Sequence, residues 1–228
     1  MKNSLEYIFK RDGVVHVLKI APSNNKKLGT GNIVSTYHFS EDQVKENDFK
    51  LDSKNCFNCP YSHNQGSSNC YTHKGPQHWG LVGMLKKLNK LPIQEFQKES
   101  FEAFLYGIET LTPKFCRFGV YGEPITLQLS EIKLITDRVK NFTGYTHQWG
   151  NSWGYEKYFM ASTHSLDETS LANKLGWRAF ETSKVENASS PLCPASKEFK
   201  GNKLTCIQCV ACNGKIKNKS NNIFIKNH

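Results

Sequence analysis

Apolar and polar residues alternate along this chain in two rhythms, one of period two and one close to 3.6, and each rhythm predicts an element. Residues 6–20 alternate at every second position around Arg11-Asp12-Gly13, which predicts a β-hairpin. A polar loop rich in Asn, Lys and Gly runs from Ser23 to Asn32, and Ile33 to Phe39 then reads as a strand. Residues 40–54 are charged and read as loop. Leu81, Met84, Leu85 and Leu88 recur at helical spacing after Gly75-Pro76, and Pro92 restarts a second helix with Phe101, Phe104, Leu105 and Ile108 on one face. Phe115 to Tyr121 reads as a buried strand that stops at Gly122-Glu123-Pro124. Ser130 is placed to cap a helix carrying Ile132, Ile135 and Val139. Phe142 to Trp149 and Lys157 to Thr163 read as strands, with a Gly/Trp-rich loop from Gly150 to Gly154 between them. Ser165-x-x-Glu168 has the form of a capping box for a helix ending at Gly176. Trp177 to Thr182 and Ile223-Phe224-Ile225 complete the strands.

Strand and helix thus alternate through the middle of the chain, which predicts an α/β fold with a largely parallel sheet and helical crossovers. In such sheets the chemistry collects at the C-terminal ends of the strands. The segment after the Ile33 strand, Gly122-Glu123-Pro124, Thr146-His147-Gln148-Trp149 and Ser162-Thr163-His164 are all expected at that rim. The organisation divides into an N-terminal hairpin extension (1–30), a core (31–185) and a tail (186–228).

The cysteines change this picture most. Seven of eight fall in two groups, Cys56-x2-Cys59-x10-Cys70 and Cys193-x12-Cys206-x2-Cys209-x2-Cys212. Thiolates two residues apart can bend around one metal ion or one iron–sulfur cluster. The first group offers three ligands, so either a fourth comes from elsewhere or one position stays open to substrate. His63 and His73 are near enough in sequence to supply a fourth ligand to zinc, and are otherwise ordinary loop histidines. The second group is a complete four-thiolate set. Its triplet favours an iron–sulfur cluster, while zinc on the same four thiolates breaks no rule. Cys116 opens a predicted strand and reads as a buried core thiol.

Charge narrows the partners. The chain has 228 residues and a formal net charge of +10, which suggests an anionic partner, nucleic acid first. The alternative is a lysine-rich surface that only keeps the protein soluble. The N-terminal stretch has no uninterrupted apolar run of signal-peptide kind, and no later run is long enough to span a bilayer. Cysteines used as reduced ligands then point to the cytoplasm. Outside the cysteines, His147 is the candidate acid or base at a strand end. Trp149 and Trp153 are candidates to stack a base or an adenine, or else they pack against the fold. His78 and Trp79 read as the start of a helix.

Three cysteines ahead of a crossover, with Tyr121-Gly122-Glu123-Pro124 closing the following strand, resemble the radical S-adenosylmethionine superfamily. That likeness implies a partial (β/α) barrel, TIM-like, with a [4Fe-4S] cluster on Cys56, Cys59 and Cys70. It implies that Gly122, Glu123 and Pro124 hold the amino group of S-adenosylmethionine, and that the four-cysteine tail carries an auxiliary or structural cluster. The family's usual spacing is Cys-x3-Cys-x2-Cys, whereas here it is Cys-x2-Cys-x10-Cys. The chain is also similar to uncharacterised phage- and plasmid-encoded proteins, through Cys59-Pro60, Cys70-Tyr71, Cys193-Pro194, the Cys206–Cys212 run and the final strand; a phage origin implies the host cytoplasm. Three functions follow: an iron–sulfur enzyme, a metal-stapled nucleic-acid-binding or phage-related module, and a redox carrier between two clusters.

Overall fold

The computed structural model describes residues 4–23, 25–67, 69–183, 190–214 and 221–226. The hairpin forms as β1 (Leu5–Arg11) and β2 (Val14–Ser23), paired antiparallel. Its two turn residues, Asp12 and Gly13, both have positive φ (53° and 74°), the backbone that a tight two-residue hairpin turn requires. β2 in turn pairs antiparallel with β3 (Gly31–Ser40) from Val14↔Ser40 to Ser23↔Gly31, so the hairpin is built into the sheet rather than appended to it.

Three short helices and two longer ones follow the chain: α1 (Glu41–Glu46), α2 (Ser53–Cys56), α3 (Gly75–Leu88), α4 (Lys98–Leu111) and, after the next strand, α5 (Leu129–Thr136). β4 (Phe115–Tyr121) runs parallel to β3, and β5 (Asn141–Thr143) parallel to β4. A second sheet, β6 (Tyr145–Thr146), β7 (Met160–Thr163), β8 (Ala179–Ser183) and β9 (Ile223–Lys226), is parallel throughout. Strand order follows chain order in both sheets. Only Gly144 separates β5 from β6. A Cβ there would lie 2.5 Å from the Phe159 ring, so no other residue fits where the run passes from one sheet to the next. The architecture is mixed α/β with two sheets, completed by α6 (Leu166–Lys174) and α7 (Cys206–Cys209).

The main core packs Phe101, Phe104, Leu105 and Ile108 of α4, Ile132 and Ile135 of α5, and Ala172 of α6 on Phe9, Leu18, Ile20, Val34, Cys116 and Phe118. Cys116 is wholly buried there, as its place in β4 predicts. A second core seats Leu81, Leu85 and Leu88 of α3 on Val15, Val17, Phe39 and Tyr121. A third, Leu28, Ile33 and Phe115, receives Cys206, Ile207 and Val210 of the tail.

Several boundaries differ from the sequence reading. Residues 40–54 are not loop: Ser40 and Gln43 form a reciprocal cap that starts α1. Pro92 does not start a helix. The chain stays extended there, bridging Lys10 through Glu95, until α4 begins at Lys98. Gln128, not Ser130, caps α5 and exchanges hydrogen bonds with Glu131, and Val139 lies beyond the helix end. The expected Phe142–Trp149 strand breaks at Gly144 and stops at Thr146. Ser165 caps α6 by accepting the Glu168 N–H at 3.1 Å, but the Glu168 carboxylate accepts from the His164 N–H (2.7 Å). The expected division at 185/186 lies outside the described residues. Among those described, no helix is long and apolar enough to cross a membrane.

Candidate metal centre

The first cysteine group hangs between the ends of β3 and β4. Asn55, wholly buried, donates its side-chain N–H to the His38 carbonyl (2.8 Å), and its own carbonyl accepts the Glu123 N–H (2.8 Å). Gly122 makes this approach possible, because a Cβ there would lie 2.4 Å from the His38 carbonyl oxygen. Turns then carry the loop on: Cys56 N–H donates to Asp52, and Cys59 N–H to Cys56, each at 2.9 Å. The buried Asp52 carboxylate closes the loop by accepting the N–H groups of His63 and Asn64, both at 2.8 Å. Cys70 comes back with its Sγ 3.0 Å from Thr72 Oγ1.

Two strand ends complete the site. Glu123, only 4% exposed, accepts from Thr146 Oγ1 (2.6 Å), from the His147 N–H (3.2 Å to each oxygen) and from His147 Nδ1 (2.7 Å). The ligand atoms of Cys59, Glu123 and His147 lie within 4.8 Å of one another. Burial works against protonating His147, but Cys59 and Glu123 outweigh it and push its pKa up to about 10. Burial raises the Cys56 thiol well above its ordinary value, and Asp52, Cys59, Glu123 and Cys70 add to it; burial also raises Cys70. A metal ion reverses this penalty, since thiolates are its ligands. All eight cysteines are free thiols. The donor set therefore fits a metal or cluster.

Other candidates are arranged differently. His63 and His73, offered as a fourth ligand, stack on each other (4.7 Å, 24°), and His78 lies 5.9 Å from His73. Parallel rings cannot both aim their in-plane lone pairs at one ion. The histidine beside Cys59 is His147 instead. Buried His63 Nδ1, His73 Nε2 and His78 Nδ1 lack hydrogen-bond partners. Trp149 packs on the main core and donates Nε1–H to the Ser162 carbonyl (3.2 Å), whereas Trp153 is exposed. Sequence reasoning missed Tyr61 and Thr182. Tyr61 Oη and Thr182 Oγ1 both meet His164 Nδ1 (3.2 and 2.7 Å), and the His164 ring stacks on His147 at 5.3 Å. The signal available for Thr182 was its place at the end of a predicted strand; Tyr61 had none beyond following Cys59-Pro60.

The four-cysteine group is held through its backbone. Cys193 N–H donates to Phe224 (2.8 Å) and Cys206 N–H to Lys27 (2.8 Å), while the Cys212 carbonyl accepts from Thr143 Oγ1 (3.0 Å). Buried Arg178 donates to the carbonyls of Gly214, Ala211 and Asn221. Thr205 and Gln208 cap the single turn that presents Cys206 and Cys209, and Val210 reverses the chain at φ 47°. The thiols feel one another: burial first, then Cys193, Cys206 and Cys209, raise Cys212 to about 12, against a hydrogen bond from Tyr145.

Comparison with protein-family models, curated proteins and solved structures gives no match.

Proposed function

We propose that this chain is an iron–sulfur metalloprotein of radical S-adenosylmethionine type, a partial (β/α) barrel. In this reading a [4Fe-4S] cluster at its mouth is held by Cys56, Cys59 and Cys70, and a second, auxiliary or structural centre by Cys193, Cys206, Cys209 and Cys212. The observation that carries it is the meeting of Cys59, Glu123 and His147 within 4.8 Å, from three separate segments, with Cys56 and Cys70 in electrostatic contact with Cys59. When bound and reduced, such a cluster supplies the electron that splits S-adenosylmethionine. Glu123 is fixed by three donor groups and, with about four lone-pair positions on a carboxylate, keeps room for an amino group. His147 bonds both Glu123 and Cys59, so it is the residue placed to hold a proton at the mouth. The enzyme would work in the cytoplasm, of a phage's host if phage-encoded.

A second reading has one zinc ion on Cys59, Glu123 and His147 and another on the tail, in a stapled module that binds nucleic acid through its +10 surface. The 4.8 Å grouping favours it, because zinc bonds of about 2.0–2.3 Å draw ligand atoms together. Anaerobic purification separates the two. The first reading expects brown protein with about eight irons for two clusters, and 5′-deoxyadenosine and methionine after reduction with S-adenosylmethionine. Colourless protein with two zinc ions and no iron would discard it.

A further inference from the structure

Arg117 sits mid-strand in β4, paired with Ser35 of β3 and Thr143 of β5. Its neighbours in sequence, Cys116 and Phe118, face the helix-covered core. By alternation Arg117 shares the other face with Phe115, the face on which Cys206, Ile207 and Val210 of the tail dock. The ionisable groups within its electrostatic reach are Tyr71, Tyr145, Cys206 and Tyr37. Tyr71 follows Cys70 of the first cysteine group, and Cys206 belongs to the second. The guanidinium therefore stands between the two, in a recess walled by three tyrosines, and keeps some accessible surface.

The chain's other three arginines are all engaged: Arg11 with Glu131, Arg138 with Glu109, and Arg178 with the tail carbonyls. Among the described residues Arg117 has no carboxylate partner and donates no hydrogen bond. A guanidinium set deep without an anion is costly, and its planar fork of five donors matches a carboxylate or phosphate group. Arginine is the residue for bidentate recognition where lysine offers only a point charge.

We propose that Arg117 anchors an oxyanion subsite between the two cysteine groups, which takes the carboxylate or phosphate of a small anionic substrate. This rests on the enzyme reading above and adds the substrate's class: an anion-bearing organic molecule, held by Arg117 with Tyr37, Tyr71 and Tyr145 around it.

The test uses the full chain, metal-loaded anaerobically, as wild type, Arg117→Gln and Arg117→Lys. Calorimetric titration with inorganic phosphate and, separately, with acetate is run at ionic strength matched with chloride. The wild type is expected to bind one of the two anions saturably at one site, and whichever arm binds tells phosphate from carboxylate. Arg117→Gln should weaken that binding at least tenfold with metal content unchanged, and Arg117→Lys should fall between. Equal binding in wild type and Arg117→Gln, or no saturable binding of either anion, overturns the subsite. Metal lost from Arg117→Gln overturns it too, by making Arg117 a counter-ion of the tail centre. If Arg117→Gln does not fold, wild-type affinity in Arg117→Lys overturns it, and weakened affinity supports it. Metal identity is read independently: a zinc protein that still binds the oxyanion through Arg117 discards the iron–sulfur reading and keeps the subsite.

Discussion

The two cysteine groups differ in what stands around the sulfurs. Near Cys56, Cys59 and Cys70 are side chains that carry protons: Glu123 after β4, His147 after β6, and His164 stacked on His147 after β7. Around Cys193, Cys206, Cys209 and Cys212 the chain is fastened chiefly by backbone hydrogen bonds, with Arg178 gathering three carbonyls. A centre lined by titratable groups at strand ends can do chemistry, and one pinned through its backbone holds a fold together. Cysteine spacing alone makes the two look like variants of one motif. Their neighbours divide them.

The largest expected effect tests that division directly. Cys212→Ala should strip the tail of its metal and cost several kcal/mol, since structural metal binding is folding free energy, about 10 kcal/mol or more in small zinc domains. Cys59→Ala should lose the mouth metal with only a small fall in Tm. Metal analysis and thermal unfolding of both variants check this, and the reverse ranking breaks the comparison. Next is Arg178→Gln, which leaves the Gly214, Ala211 and Asn221 carbonyls short of donors. A buried group left unsatisfied costs about 1–3 kcal/mol, so the expected loss is about 2–4 kcal/mol, with faster amide exchange in 206–214. Amide exchange unchanged in that segment would mean that the tail docks by other contacts.

On the mouth side, Glu123→Gln keeps the shape but sets an amide against the donors of His147 and Thr146. It should cost about 1–3 kcal/mol, keep the fold, and let His147, raised to about 10 by Cys59 and Glu123, titrate lower in metal-stripped protein. NMR titration of the His147 ring reads this. A collapsed fold would make Glu123 a structural residue and remove it from cofactor binding.

Much of this was legible in the chain. Alternating apolar positions gave the hairpin and the parallel strands, because a strand's two faces are written at period two and survive any packing. The four segments expected at one rim do meet, as the contacts of Glu123 with His147 and of Tyr61 with His164 show. What was not legible depends on the third dimension. Which histidine joins Cys59 is decided by the end of β6, not by nearness in sequence, so His63 and His73 were poor guides. The reach of Asn55 to His38 and of Arg178 to three carbonyls leaves no periodic trace. Gly122 carried a second meaning, a close approach to β3, that no motif records. Local signals were also present and misread: Ser40-x-x-Gln43 is a cap written in a stretch taken for loop.

Behind the mouth, β2 and β3 bury two histidines, with His16 Nδ1 at 3.0 Å from His38 Nδ1 and His38 Nε2 at 3.0 Å from Thr36 Oγ1. Burial lowers both, with Arg11 adding to each: His38 falls to about 3, and His16 well below its ordinary value. A depressed folded pKa means that the unfolded chain binds more protons in the window between about 3 and 6.5. The stability these groups contribute is complete above pH 6.5 and is lost as pH falls through that window, by up to about 1.4 kcal/mol per pH unit for each. Urea unfolding between pH 7 and 4 should show a shallower slope in His38→Gln than in wild type. Equal slopes would place the acid sensitivity elsewhere.

The smallest effect on stability is expected at Trp153, which is 71% exposed in the loop after His147. Trp153→Ala should change unfolding by less than about 0.5 kcal/mol, as exposed substitutions away from special features do, and should leave both metal centres filled. It still sharpens the contrast, because a stacked base contributes about 1–3 kcal/mol where an aromatic face binds single strands. If the basic surface serves nucleic acid by way of the mouth, fluorescence titration with a single-stranded oligonucleotide should show Trp153→Ala weakened by roughly tenfold at low salt. Affinity that falls with salt but ignores Trp153 would assign such binding to scattered lysines, and the mouth would be left to its small anionic substrate.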